Sequence, residues 1–165
     1  MKQILTLLLI TFSCYSQEKI AVITDNGYEF AIDTLSYKQN LEKQLSTFVS
    51  GKTITFNRIE VVKQKALLTK IDFYYLLLTD AKNNSKVAKW LNKEGNNLIS
   101  NDEITEGDLF EQTFLLCAGT GDCSPQVMED EEGRFWMCST EIMCPVEEDP
   151  NPPCIAYKML LGMDE

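Results

Sequence analysis

The sequence predicts an α+β fold: one amphipathic helix packed on an antiparallel sheet, with a disulfide-crosslinked, acidic C-terminal extension. Three observations lead there. One segment alone, Ser36 to Ser50, carries a helical apolar stripe. The segments around it alternate with a period of two, or run apolar between turn signals. Charge and cysteine then change together near residue 100: residues 17–100 hold 12 Lys/Arg against 9 Asp/Glu, and residues 101–165 hold 2 against 16. All the cysteines but Cys14 lie in that acidic third.

The first 16 residues read as a signal peptide. Lys2 supplies the positive region, Ile4 to Phe12 the apolar one, and Cys14 and Ser16 the small residues before cleavage, which leaves Gln17 first. The apolar run is shorter than the roughly 20 residues a membrane span needs. The alternative is an envelope lipoprotein anchored at Cys14. Ser13 before it fits that pattern, whereas Thr11 and Phe12 depart from it. The leader resembles those of Gram-negative bacteria, so the expected location is secreted, periplasmic or outer surface.

After the leader, 17–116 is expected to form the α+β body, with 117–165 as an acidic, cysteine-rich segment of the same domain. Lys19 to Asp33 reads as a hairpin, because Asp25-Asn26-Gly27 accepts the positive φ of tight strand-to-strand turns. The helix follows, with a capping box from Ser36 to Gln39 and apolar Tyr37, Leu41, Leu45, Phe48 and Val49 on one face. Ile54 to Val61 reads as a strand with a bulge at Asn57-Arg58, where the alternation slips. Ile71 to Thr79 is rich in aromatic and aliphatic residues and reads as a central strand. Lys86 to Asn92 and Asn97 to Ser100 are shorter strands, separated by Lys93 to Asn96. This layout is shared by cystatin-like and similar helix-on-sheet folds.

In the acidic third, Phe110 to Cys117, Arg134 to Cys138 and Ile155 to Leu161 read as strands. Glu129 to Glu132 reads as an acidic turn closed by Gly133, and 144–154 as a proline-rich loop. In an exported chain, Cys117, Cys123, Cys138, Cys144 and Cys154 read as disulfide partners with one thiol left over. The equal spacing of 117/123 and 138/144 allows two locally crosslinked loops or cross-paired strand ends. Which cysteine is odd stays open.

Several chemistries are excluded or weak. The acidic third repels nucleic acid and anionic membrane surfaces. The chain has no histidine, which removes the common general base and the standard triads. It has no glycine-rich phosphate loop, no C-x-x-C redox pair, and no cysteines at the C-x2-4-C spacing of a zinc site. No catalytic residue, cofactor or metal site is assigned.

The expected function is non-catalytic: an exported binding module for a protein or peptide, possible in an inhibitor-like form, with loops 117–123 and 144–154 as the contact surface. The alternative is binding of calcium or another cation by the acidic loops, chiefly Glu129, Asp130, Glu131 and Glu132. The 101–112 stretch fails the EF-hand register, with Glu106 at the glycine position and Gln112 at the bidentate one. Asp33-Thr34-Leu35 resembles the Asp-Thr-aliphatic tripeptide that some Gram-negative bacteria O-glycosylate on exported proteins.

Overall fold

The computed structural model describes residues 17–48, 53–101, 109–119, 123–138 and 154–161. The leader with Cys14, most of the acidic 101–108 loop, and 139–153 with Cys144 lie outside these residues. In chain order the elements are β1 (Gln17–Thr24), β2 (Gly27–Phe30), α1 (Thr34–Phe48), β3 (Arg58–Lys65), β4 (Leu67–Leu68), β5 (Asp72–Asp80) and β6 (Ser85–Glu94). They continue with β7 (Asn97–Asn101), α2 (Leu109–Gln112), β8 (Thr113–Gly119), β9 (Pro125–Asp130), β10 (Gly133–Cys138) and β11 (Cys154–Leu160).

The α+β expectation is overturned. Among the described residues strand accounts for 63% and helix for 15%, in a mostly β fold built on a curled antiparallel sheet. The reason lies in the acidic third, which supplies strands where an extension was expected. β9, β10 and β4 form a second, three-stranded sheet. Val127 and Trp136 from that sheet join Phe73, Tyr75, Ala88, Trp90 and Leu115 of the main sheet in one buried cluster. The opposite face of the main sheet buries Leu76, Leu78, Val87, Leu91, Phe114 and Leu116. Tyr37, Leu41 and Leu45 of α1 are buried in that second cluster but do not define the fold. With both faces covered, β5 and β8 read as nearly continuous apolar runs instead of alternating ones.

The main sheet is organised by β6. One side of β6 pairs with β5 along Ser85 to Leu91, and β5 pairs in turn with β3. The other side is shared. β8 takes Ser85 to Lys89 and β7 takes Asn92 to Glu94, both antiparallel. β7 and β8 are therefore two halves of one interrupted strand, with the interruption falling between Asn101 and Gln112. Each half recruits its own neighbours: β1 and then β2 beside β7, and β11 beside β8. The sheet forks along this line.

Lys89 sits at the fork. It is 1% exposed, and its ammonium donates to the carbonyls of Asn101 (3.2 Å) and Gln112 (3.0 Å), which flank the interruption. Ladder pairing with β6 stops at Ile99 and resumes at Phe114, and the ammonium also lies 4.7 Å from the centroid of the Phe114 ring. A buried charge is tolerated only with such partners.

Local boundaries differ from the expectations in informative ways. The helix starts at Thr34, because Asp33 is its cap: Asp33 Oδ1 accepts from the Leu35 and Ser36 amides, and Ser36 Oγ donates to Asp33 Oδ2. Residues 53–57 are not a strand. Ile54 and Phe56 are buried, but the Thr55 amide donates to Asp80 Oδ2 (2.9 Å) and the Phe56 amide to Glu42 Oε1 (2.6 Å). Side-chain carboxylates take the place of a ladder there. Phe110 opens no strand; Leu109–Gln112 is a helical turn, and the strand begins at Thr113.

Candidate interaction surface

The two disulfides shape the surface. Cys117 in β8 bonds Cys138 at the end of β10, and Cys123 before β9 bonds Cys154 at the start of β11. Neither bond closes a local C-x5-C loop. In the small sheet Cys138 lies opposite Pro125, and in the main sheet Cys154 lies opposite Gly119 and Cys117 opposite Ala156. The open end of the β9–β10 hairpin is thus sewn to the open end of the β8–β11 pair. Cys144 and Cys14 lie outside the described residues, as does most of loop 144–154 and part of loop 117–123.

The sewn edge leads to β11. Among the described residues of the main sheet, β11, β2 and β3 each pair on one side only. β3 carries Arg58, Glu60, Lys63 and Lys65, held in ion pairs: Arg58 to Glu60 at 2.7 Å, Lys63 to Asp72 at 2.7 Å and Lys65 to Asp72 at 2.9 Å. β2 is four residues long and carries Glu29. Charge and brevity are the usual protections of a free edge. β11 has little of either. It is seven residues, CIAYKML, with Lys158 as its one charge. Ile155, Tyr157 and Leu160 are 39%, 46% and 42% exposed. Met159 is buried, so the strand is anchored to the core from one face. An anchored edge with exposed apolar groups offers backbone donors and acceptors to an incoming extended segment.

The acidic turn is built differently from a cation loop. Glu129 Oε1 accepts from Arg134 Nε at 2.8 Å, and Oε2 accepts from Thr69 Oγ1 at 2.9 Å. Arg134 first, and then Thr69, hold the Glu129 carboxyl below its ordinary range. Asp130 Oδ1 accepts from the Glu132 and Gly133 amides and closes the turn, while Gly133 adopts φ 141°. Glu131 and Glu132 are exposed. The two carboxylates that begin the run thus serve the hairpin and its hold on the β3–β5 tip. A hollow of about 360 Å³ beside this turn is lined by Glu129, Glu132, Arg134 and Phe135.

A second hollow, of about 410 Å³, lies at the end of β5 and β6 and is lined by Lys63, Asp72, Tyr74, Trp90, Asn92 and Lys93. Its charges are mutually engaged. Hydrogen bonds from Lys63 and Lys65 hold the Asp72 carboxyl down to about 2, and Asp72 in turn raises the Lys63 ammonium. Beneath it the aromatic cluster is tightly ordered. Phe73 stacks on Trp90 at 5.4 Å, Phe110 stacks on Trp136 at 5.3 Å, and the Arg134 guanidinium lies 5.3 Å from the Trp90 ring centroid. Trp90 Nε1 donates to Asn92 Oδ1, and Asn92 Nδ2 to Glu111 Oε2. Burial, with the Glu60 charge second, pushes the Tyr75 hydroxyl up to about 12.

With the geometry in place, comparison with known proteins adds nothing further: the chain matches no family model, no curated protein and no solved structure. No helix among the described residues is long and apolar enough to cross a membrane. Two disulfides fit an oxidising compartment. The Asp33-Thr34-Leu35 tripeptide caps and opens α1, with Leu35 59% exposed. Two features escaped sequence reasoning. Lys89 looks like an ordinary polar position in an alternating strand. The β11 edge is visible only once its pairing is known, although its low charge is a signal in the sequence.

Proposed function

We propose that this chain is an exported, non-catalytic binding module that takes up an extended peptide segment of a protein partner along β11. The observation that carries the reading is the contrast among the free edges of the main sheet: β3 and β2 are charged or short, and β11 is apolar, one charge in seven residues, and exposed at Ile155, Tyr157 and Leu160. Strand addition draws affinity from main-chain hydrogen bonds and selectivity from alternate side chains. Anchorage through Cys154 favours binding, because a rigid edge loses little freedom when occupied. The interaction moves from the loops to the strand that leaves them.

The test is a displayed library of extended heptapeptides panned against the oxidised protein, followed by hydrogen exchange on the complexes. Selected peptides are expected to slow exchange of backbone amides in 154–160, and Ile155→Lys with Tyr157→Glu is expected to abolish binding without changing the near-ultraviolet circular dichroism. Protection confined to another surface, or failure to select any binder, overturns the reading.

A further inference from the structure

The two disulfides lie in one place. The Sγ atoms of Cys117, Cys123 and Cys138 are all within 4.8 Å of one another, and Cys154 is bonded to Cys123. Three sulfurs from three separate points of the chain thus form one cluster between the two sheets, and the fourth, on Cys154, is joined to it through Cys123. Cys117 and Cys123 are buried at 0% and 3% exposure. The spacing that a zinc motif shows in sequence is absent, but the fold supplies in space what the sequence lacks along the chain.

We propose that Cys117, Cys123, Cys138 and Cys154 constitute a redox-gated tetrathiolate site for a soft divalent metal ion. In the oxidised protein the site is closed as two disulfides. A reductant of the thiol or phosphine class opens it: two S–S bonds break, and four electrons and four protons enter to give four thiols. One divalent ion then forms four metal–sulfur bonds and displaces the four protons.

The geometry suits this exchange. A metal–sulfur distance of about 2.3 Å in a tetrahedron sets neighbouring sulfurs about 3.8 Å apart. The separations among the Cys117, Cys123 and Cys138 sulfurs, bounded by 4.8 Å, bracket that value, and the Cys154 sulfur, bonded to Cys123 in the oxidised protein, completes the tetrahedron by turning about its own side-chain bonds once released. Charge is also provided for. A tetrathiolate complex of a divalent ion is anionic, and Lys86 stands beside it. Lys86 is the strand partner of Cys117, and its ammonium donates to Ser124 Oγ, next to Cys123, at 2.6 Å. An opposite charge so placed favours the thiolate form. The bound ion takes over the mechanical task of the disulfides, since the same four residues still join the β9–β10 hairpin to β8 and β11. This inference does not depend on the strand-addition reading.

The test uses the full exported chain, reduced without oxygen by a phosphine, which competes weakly for metal, and titrated with zinc or cobalt alone. The oxidised protein is expected to bind neither. The reduced protein is expected to bind one ion per chain, with the intense visible bands of tetrahedral cobalt tetrathiolate, and to recover the near-ultraviolet signal of Trp90 and Trp136. Cys144→Ser is expected to leave the titration unchanged, and Cys117→Ser with Cys138→Ser to remove the cobalt bands. Because the double variant risks misfolding, the reduced wild-type chain is also titrated in urea, where zinc affinity is expected to fall about 100-fold if the fold assembles the site. Six-coordinate cobalt spectra, equal affinity in urea, or binding without recovery of the aromatic signal each overturns the proposal.

Discussion

Asp80 is a small group on which a long segment depends, and replacing it with alanine measures that dependence. The side chain is 1% exposed, at the end of β5. Its Oδ2 accepts from the Thr55 amide (2.9 Å) and Asn83 Nδ2 (2.6 Å), and its Oδ1 from the Lys82 and Asn83 amides (3.0 and 3.1 Å). Asn83 in turn donates to Thr53 O at 2.9 Å. These bonds hold Thr53 and Thr55, and with them Ile54 in the core, while Glu42 holds the Phe56 amide and the Thr79 carbonyl the Asn57 amide. In Asp80→Ala the exposed turn amides go over to water at little cost. The bonds to Thr55 and Asn83 are the ones lost, at about 1.5 kcal/mol each for a charged acceptor, or about 3 kcal/mol together. With a urea slope of about 2 kcal/mol/M, the midpoint of the oxidised protein falls by about 1.5 M. Asp80→Asn keeps one acceptor oxygen and should lose about half as much.

The loss should also depend on pH. Burial works to raise the Asp80 carboxyl, but its donors, led by the Thr55 amide, outweigh burial and hold the group below its ordinary 3.8. A depressed folded value stabilises the native state above the unfolded value, and that contribution is lost as pH falls through the folded one. The gap between wild type and Asp80→Ala is therefore full at neutral pH and narrows below about pH 4. A loss under about 0.5 kcal/mol, or a gap unchanged between neutral and acid pH, refutes the assignment of these bonds as the anchor of 53–55.

Four further perturbations test other parts of the fold by the same urea assay. Lys89→Met keeps the bulk but withdraws the ammonium from the carbonyls at the fork, and should cost about 3 kcal/mol. Leu68 holds φ 64° at the β3–β5 tip and is 58% exposed; Leu68→Gly relieves a strain of about 1–2 kcal/mol against a smaller entropy cost, and should stabilise by about 0.5 kcal/mol or more. Removing Cys117–Cys138, with sequence separation 21, should cost about 3.3 kcal/mol, and removing Cys123–Cys154, with separation 31, about 3.7 kcal/mol, from loop-closure entropy.

The parts of the fold that were legible in the sequence are those set by neighbouring residues. Asp25-Asn26-Gly27 marks the β1–β2 turn because Gly27 takes φ 128°. The aromatic and aliphatic run of β5 is legible for the same reason, since a strand covered on both faces needs little polar alternation. β9 was illegible because Pro125 opens it and Glu129 and Asp130 end it, a pattern that reads as loop, although proline is tolerated at the first residue of a strand. Glu42 looked like a solvent-facing helix position, yet it caps the Phe56 amide across 14 residues. The fold class failed for a related reason. A lone amphipathic helix is a strong periodic signal, whereas the second sheet is assembled from short strands far apart in sequence. The cysteine pairing was equally out of reach, because it joins the open end of the β9–β10 hairpin to that of the non-consecutive β8–β11 pair.

That pairing has a consequence for how the chain withstands proteolysis. The two bonds interleave along the chain: Cys117 and Cys138 enclose Cys123, and Cys123 and Cys154 enclose Cys138. A single peptide-bond cut anywhere between Cys117 and Cys154 therefore leaves the pieces covalently joined. A nick at 120 is bridged by the first bond, a nick at 145 by the second, and a nick at the 130–133 turn by both. The stretch between Cys117 and Cys154 can be clipped once and still migrate as one molecule until it is reduced, with β11 tethered to its sheet throughout.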